Sequence, residues 1–289
     1  MKKLLPILLA LLLLAGCADV YDGPTTEKTV LASRDEEFYG SDDGTVTQLW
    51  HTEYAYDTYG HCSVVLEYQE GEPYQKSVMT YDESGNVIRQ VQYDLSGWLP
   101  KKMMDSRYTY DDQGRLTSTR HRAGGLSWDD DTTVYDDEAM TRTFTSAEGA
   151  VGIDYLNESG WVMRTEQTFP DGQTVLTEYD RRSDGQIETM RTYTEGALTS
   201  ETVMTYDDQG RILTQTKIEN GVSTLLFSWE YGDGWDIFTD HAGNRRHITT
   251  YHPDGRTDTV ETRDESGKCQ SIATYHYTGI QVPAQEVSP

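Results

Sequence analysis

Tyr110-Asp-Asp-Gln-Gly-Arg-Leu116 returns almost letter for letter as Tyr206-Asp-Asp-Gln-Gly-Arg-Ile212, and its skeleton Tyr-Asp-x-x-Gly also begins at Tyr56, Tyr81 and Tyr93. Looser copies run through Tyr135-Asp136 with Ala139 in the glycine position, Tyr179-Asp180 stretched to Gly185, Tyr251 through Asp254 to Gly255, and Asp264 to Gly267. A unit this short cannot bury an apolar face alone and must stack against its neighbours. The repeat therefore constrains the architecture before any other property of the chain does.

From the middle of the chain onward the turn glycines fall at 160, 172, 185, 196, 210, 221, 234, 243, 255 and 267. Such spacing leaves roughly eight residues between turns, enough for a short strand and too few for a helix with its own loops. Asp suits the first position of a type I turn, where its carboxylate accepts backbone N–H groups. Gly suits the left-handed residue that closes a three-residue hairpin through a bulge. Tyr is then the last strand residue before the turn. Intervening turns such as Glu195-Gly196 and Asn220-Gly221 are of a second kind, so the full unit is two strands and about 25 residues, a period that Gly160, Gly185 and Gly210 mark directly. The expected fold class is all-β: a repetitive antiparallel β-meander of hairpins, coiled or curled into an extended sheet, because sheets beyond roughly ten strands do not stay flat.

Two residues after the turn glycine stands an apolar side chain, Val87, Leu99, Leu116, Val162, Ile187 or Ile212, with Ile237 three after Gly234, and alternation makes this the expected core-facing row. With 36% hydrophobic residues and a mean hydropathy of -0.69, the core must be thin. Cys62 and Cys269 occupy the same slot after Gly60 and Gly267, which makes them small buried hydrophobes. A disulfide between them requires the first and last strands of the meander to meet.

The amino terminus has a basic start, an apolar run too short to span a bilayer comfortably, and small residues before Cys17. It reads as an export signal. Leu14-Ala15-Gly16-Cys17 resembles the lipobox of bacterial lipoproteins. The resemblance implies cleavage between Gly16 and Cys17, a diacylglyceryl thioether on the Cys17 sulfur, and attachment to the extracytoplasmic face of a cell membrane or outer membrane. Residues 1–16 are then the signal peptide, 17–45 the lipidated cysteine and a flexible acidic tether on which Val30-Leu31 and Phe38-Tyr39 offer docking points. Residues 46–279 form the repeat domain and 280–289 a disordered tail.

Charge and motif content narrow the function. The chain carries a formal charge of -25, and losing Lys2 and Lys3 with the signal makes it -27, so it repels phosphates, and no run of basic residues offers a local exception to that repulsion. No nucleic-acid partner is expected. The run Asp129-Asp130-Asp131 lacks the spacing of a dedicated calcium loop, and seven scattered histidines have no helix on which to pair, so no metal and no cofactor are expected. No nucleophile elbow is present, and a glycosidase pair cannot be singled out among 49 acidic residues. The expectation is a protein without enzymatic activity, with a glycan-active enzyme as the weaker alternative. Arg, Gln and Glu on both faces of short strands also lack the apolar band of a transmembrane barrel.

Aromatic residues supply the candidate ligand surface. Trp98, Trp161 and Trp235 each directly follow a turn glycine, one residue before the apolar slot. On one edge of the sheet, three indoles would stack on sugar rings or a peptide; their alternative work is to cover the neighbouring strand.

The cassettes at 110–116 and 206–212, together with Tyr81-Asp-Glu-Ser-Gly-Asn-Val87, resemble the YD repeats of bacterial RHS-type surface proteins. The resemblance runs from about residue 54 to 267 and implies a spiralling β-sheet; this chain is too short for the closed toxin shell of the largest members. The expectation is a membrane-anchored surface lipoprotein with a YD-repeat scaffold acting as a structural or binding module. Its partners would be the membrane, through the lipid on Cys17, and a glycan or protein ligand.

Overall fold

The computed structural model describes residues 25–40, 44–124 and 128–284. The expected signal peptide, Cys17 and the last five residues lie outside them. The first ten strands are β1 (Thr25–Tyr39), β2 (Val46–Tyr56), β3 (Cys62–Gln69), β4 (Glu72–Tyr81), β5 (Val87–Asp94), β6 (Lys101–Tyr110), β7 (Leu116–Ala123), β8 (Asp129–Asp136), β9 (Thr141–Thr145) and β10 (Val151–Leu156). The second ten are β11 (Val162–Thr168), β12 (Thr174–Arg181), β13 (Ile187–Thr194), β14 (Ala197–Tyr206), β15 (Ile212–Glu219), β16 (Val222–Gly232), β17 (Trp235–Asp240), β18 (Arg245–Tyr251), β19 (Thr257–Asp264) and β20 (Cys269–Pro283). Each pairs antiparallel with the next, as the repeat predicts.

The sheet closes into a barrel instead of remaining a coiled ribbon. β1 pairs with β2 from Ser33↔Glu53 to Tyr39↔Val46 and with β20 from Thr25↔Pro283 to Phe38↔Ser271, so the first and last strands meet and the ring closes. The closing strand is the segment expected to be a tether. Within residues 25–39, Asp35 bridges the seam: it meets His51 of β2 at 2.6 Å and His276 of β20 at 2.9 Å. β20 likewise runs through Pro283, past the expected domain end at 279. Closure satisfies the backbone groups that two open edges would leave exposed.

Even-to-odd connections lie on one rim, with the Tyr-Asp turns, and odd-to-even connections on the other, the far rim. On the cassette rim the Asp207 carboxylate accepts the Gln209 and Arg211 N–H groups at 2.9 and 2.8 Å. The Asp207 N–H donates to the Arg211 carbonyl, and Gly210 closes the turn at φ +77°. On the far rim Glu195-Gly196 and Asn220-Gly221 both have positive φ, the two-residue hairpin that matches strand twist. Three cassettes differ from their expected place or form. Tyr93-Asp94 with Gly97, in a longer loop, and Asp264 with Gly267 both fall on the far rim. Around Gly185 the turn begins at Arg182, whose N–H donates to the Gln186 carbonyl, so Arg181 rather than Tyr179 holds the tyrosine position.

Register assigns the two faces. Exposed mid-strand residues such as Glu37, Thr80, Arg107, Val134, Glu230 and His276 share one face, which we take as the outer one, although between β3 and β6 the same face also buries Val64, Leu66, Lys76, Val91 and Asp105; Ser106, Asp154, Thr202, Ser271 and Ala273 are buried on the other, inner face. Twenty strands about 4.8 Å apart make a ring about 30 Å across before tilt widens it, too wide for side chains to fill. Few apolar residues are buried, Val30, Val64, Leu66, Val91, Ala273 and Val282. The core is thin, as expected, but the apolar slot does not build it: Val87, Leu116, Ile187 and Ile212 are half-buried opposite the residue in the tyrosine position, and Leu99 is exposed. A bulge at each cassette hairpin moves that slot out of the ladder.

Candidate functional site

What the tyrosines do follows from that bulge. In each unit the ladder to the next strand starts two residues after the apolar slot, as at Val64↔Val78 and Thr189↔Val203, leaving the slot carbonyl without a ladder partner. The cassette tyrosine of the next hairpin supplies the donor. Tyr81 donates to the Cys62 carbonyl at 2.6 Å, Tyr110 to Val87 at 2.9 Å, Tyr135 to Leu116 at 3.2 Å, Tyr206 to Ile187 at 2.6 Å and Tyr231 to Ile212 at 2.9 Å. Arg181 Nε does the same for Val162 at 2.9 Å. Burial raises the phenol pKa at Tyr81, Tyr110, Tyr206 and Tyr231, which keeps the donor protonated.

The residue after the turn glycine covers the next unit's tyrosine. Arg115 lies 4.2 Å from the Tyr135 ring centre, Arg211 4.3 Å from Tyr231 and Arg256 4.7 Å from Tyr277, and His61 stacks on Tyr81 at 4.7 Å. Trp161 stands in this same position and lies over Gly185, where a Cβ would have no room. Trp235 covers Gly232 in the same way. Trp98 is on the far rim, in the β5–β6 loop, and is 89% exposed. The three indoles therefore do not share an edge; two cover glycines of the cassette rim and Trp98 alone stands free.

The cysteines are also separated. The ring does bring β1 against both β2 and β20, but Cys62 opens β3 at the cassette rim and Cys269 opens β20 at the far rim, and both thiols are free. Each is half-buried and its thiol pKa is raised, chiefly by burial.

A cleft of about 1230 Å³ opens inside the far rim. Its wall is the inner face of β18, β19, β20, β1 and β2, with Glu36, Phe38, Gln48, Arg245, His247, Thr262 and Ser271 on strands and Asn244, Glu265 and Ser266 on the turns above. Asp264 in this wall has its pKa lowered, first by the Ser266 hydroxyl at 2.6 Å and then by the Lys268 N–H at 3.0 Å. Tyr39 is pushed up to about 12, first by its hydrogen bond to the Glu37 carboxylate. His247 joins the cleft to an inner-face aromatic cluster: its ring stacks on Phe238 at 5.7 Å, and Phe238 packs on Trp229 at 5.1 Å and Phe227 at 5.4 Å. Sequence reasoning missed this cluster, although the alternation Phe227, Trp229, Tyr231 within β16 already placed three aromatics on one face.

No protein-family model matches the chain, and no curated protein matches it. Among solved structures it is similar to a porin-like protein from Bacteroides uniformis ATCC 8492, at 11% identity over 88% of this chain and 99% of the other, with a TM-score of 0.39. A porin-like protein from Bacteroides vulgatus ATCC 8482 matches at 11% identity over 66% and 98%, with a TM-score of 0.32. A TcdB2-TccC3-Cdc42 structure matches at 11% identity and a TM-score of 0.22, covering 84% of this chain and 20% of that one.

Proposed function

We propose that this chain is an exported, lipid-anchored surface protein whose YD-repeat barrel is a rigid binding module for a glycan or peptide, without catalytic activity. The observation that carries the reading is the far-rim cleft, which combines hydrogen-bonding side chains with the rings of Phe38, Tyr39 and His247, the last stacked on the aromatic cluster beside the cleft. Sugars and extended peptides need that combination: apolar ring faces for stacking and amide or hydroxyl groups for orientation.

Two features favour binding over hydrolysis. A glycosidase needs a carboxylic acid kept protonated near neutral pH, whereas Asp264 is held ionised by its donors. Glu36 is tied to Arg34. The outer face carries cross-strand ion pairs such as Arg191–Asp180 at 2.8 Å and Arg120–Asp130 at 2.6 Å where a membrane-spanning barrel needs an apolar girdle, which favours attachment through Cys17 over insertion of the wall.

Glycan-array and pull-down profiles of the exported protein test the binding reading. Arg245→Ala with His247→Ala should remove the captured ligand, and unchanged profiles would sink the cleft as the site. Cys17→Ala protein should leave the membrane fraction, and normal processing and retention of that variant would refute lipidation.

A further inference from the structure

The chain is strongly acidic, yet register gathers five cations on one patch of the outer face. Arg89 of β5 lies directly opposite Arg107 of β6, and Arg107 directly opposite Arg120 of β7; Arg122 stands beside them, opposite Asp105, and Lys102 comes from β6. Like charges directly opposite on adjacent strands repel. Two carboxylates offset part of this. Asp105, 1% exposed, accepts from Arg89 at 2.9 and 2.7 Å and from Lys102 at 3.0 Å, and Asp130 pairs with Arg120 at 2.6 Å. Among the described residues, no ion pair joins Arg107 or Arg122 to a carboxylate, although Arg122 stands opposite Asp105. Their guanidinium groups lie 4.8 and 5.0 Å from the centre of the Trp128 indole, with Arg120 at 5.5 Å.

An indole that holds guanidinium groups in place leaves their N–H edges organised to bind an oxyanion in bidentate fashion. We propose that this patch, the outer face of β5–β8, is a site for a carboxylate-bearing saccharide. Three observations select that occupant. β5, β6 and β7 are each paired on both sides, so a peptide cannot dock at this patch by adding a strand. The chain's formal charge of -25 repels a dense polyanion or an anionic bilayer, while a sugar acid brings isolated charges. Trp98, 89% exposed on the neighbouring loop of the same rim, offers a bare indole face for a pyranose ring.

The site lies on the opposite side of the barrel wall from the far-rim cleft, so the two can be tested apart. The probe is an oligosaccharide carrying a single galacturonate residue, with its methyl ester as the neutral control, titrated by calorimetry. Wild type should bind the acid and not the ester, and the affinity should fall as NaCl is raised from roughly 50 to 300 mM. Arg107→Gln with Arg122→Gln should weaken binding at least ~10-fold, because both lost donors are charge-assisted. The urea midpoint of that variant should stay level or rise, since the substitution removes repulsion between opposed arginines. Arg107→Lys keeps the charge without the planar fork and should fall between the two. Arg245→Ala, in the cleft, should bind the probe as wild type does. No binding by wild type, equal binding of the ester, undiminished binding by the double glutamine variant, or binding to anionic phosphatidylglycerol vesicles in place of the saccharide would each overturn the proposal.

Discussion

Replacing Tyr81, Tyr110, Tyr206 and Tyr231 together by Phe removes four hydroxyl donors and leaves the rings in place. Each hydroxyl lies 2.6 to 2.9 Å from a slot carbonyl that its own ladder does not reach. A neutral hydrogen bond of this kind contributes about 1 kcal/mol net, and the stranded carbonyl keeps its desolvation cost. The four positions belong to four different units, so their effects should add, to about 4 kcal/mol. That is a large share of the roughly 5–15 kcal/mol typical of folded proteins. With a urea slope of about 3 kcal/mol per M, the midpoint should fall by about 1.3 M. The cation and imidazole contacts over the rings survive in Phe, which isolates the hydroxyl. Tyr59→Phe, at a residue 61% exposed, is the control and should leave the midpoint unchanged. A quadruple variant within about 0.5 kcal/mol of the parent would refute the claim that the tyrosines stitch one hairpin to the next.

Other outcomes follow from the same geometry. Burial pushes the Tyr56 phenol up to about 12, and hydrogen bonding to Asp236 does the same for Tyr251. The folded state favours the neutral phenol, so stability should be full below the ordinary phenol value near ~10 and fall as pH rises through about 12, as circular dichroism between those limits will show. Asp105 is held well below the usual carboxylate range, first by Arg89 and also by Lys102, so its contribution is present above the ordinary aspartate value and lost as pH falls through the lowered one. Asp105→Asn should cost about 2 kcal/mol at neutral pH, less than a fully buried pair because both cations reach solvent, and should flatten the acid limb of the stability profile. The Phe144 ring leaves no room for a Cβ at Gly152, so Gly152→Ala should cost about 1–3 kcal/mol by thermal melting. Adding Phe144→Ala should recover part of that loss; no recovery would mean the ring is not the obstacle.

Much of the architecture was legible because a turn cassette is a local device. Asp207 accepts N–H groups two and four residues ahead, and Gly210 takes a conformation set by its own φ, so spacing alone identifies hairpins, the second turn type and the 25-residue unit. Yet a matching string is not a matching place. Tyr93-Asp94 with Gly97 has the letters and sits on the opposite rim, while Arg181 has none of them and still donates to the Val162 carbonyl. Local spacing records the turn; the tyrosine's partner lies on the preceding strand.

The candidate sites were less legible for the same reason. Trp161 and Trp235 look like ligand residues until glycines are found beneath them, Gly185 of the next unit under Trp161 and Gly232 of its own hairpin under Trp235, and Arg89, Arg107, Arg120 and Arg122 form no run that charge counting detects. Only antiparallel register lines them up.

A β-meander with a thin core, its period and its turn chemistry depend on residues within a few positions of one another, and the chain spells them out locally. That the meander closes, that residues 25–39 are the closing strand and which charges meet are set by contacts between distant strands. Closure depends on the accumulated twist of twenty strands bringing β20 back to β1, a sum over the whole chain that no short stretch of it contains.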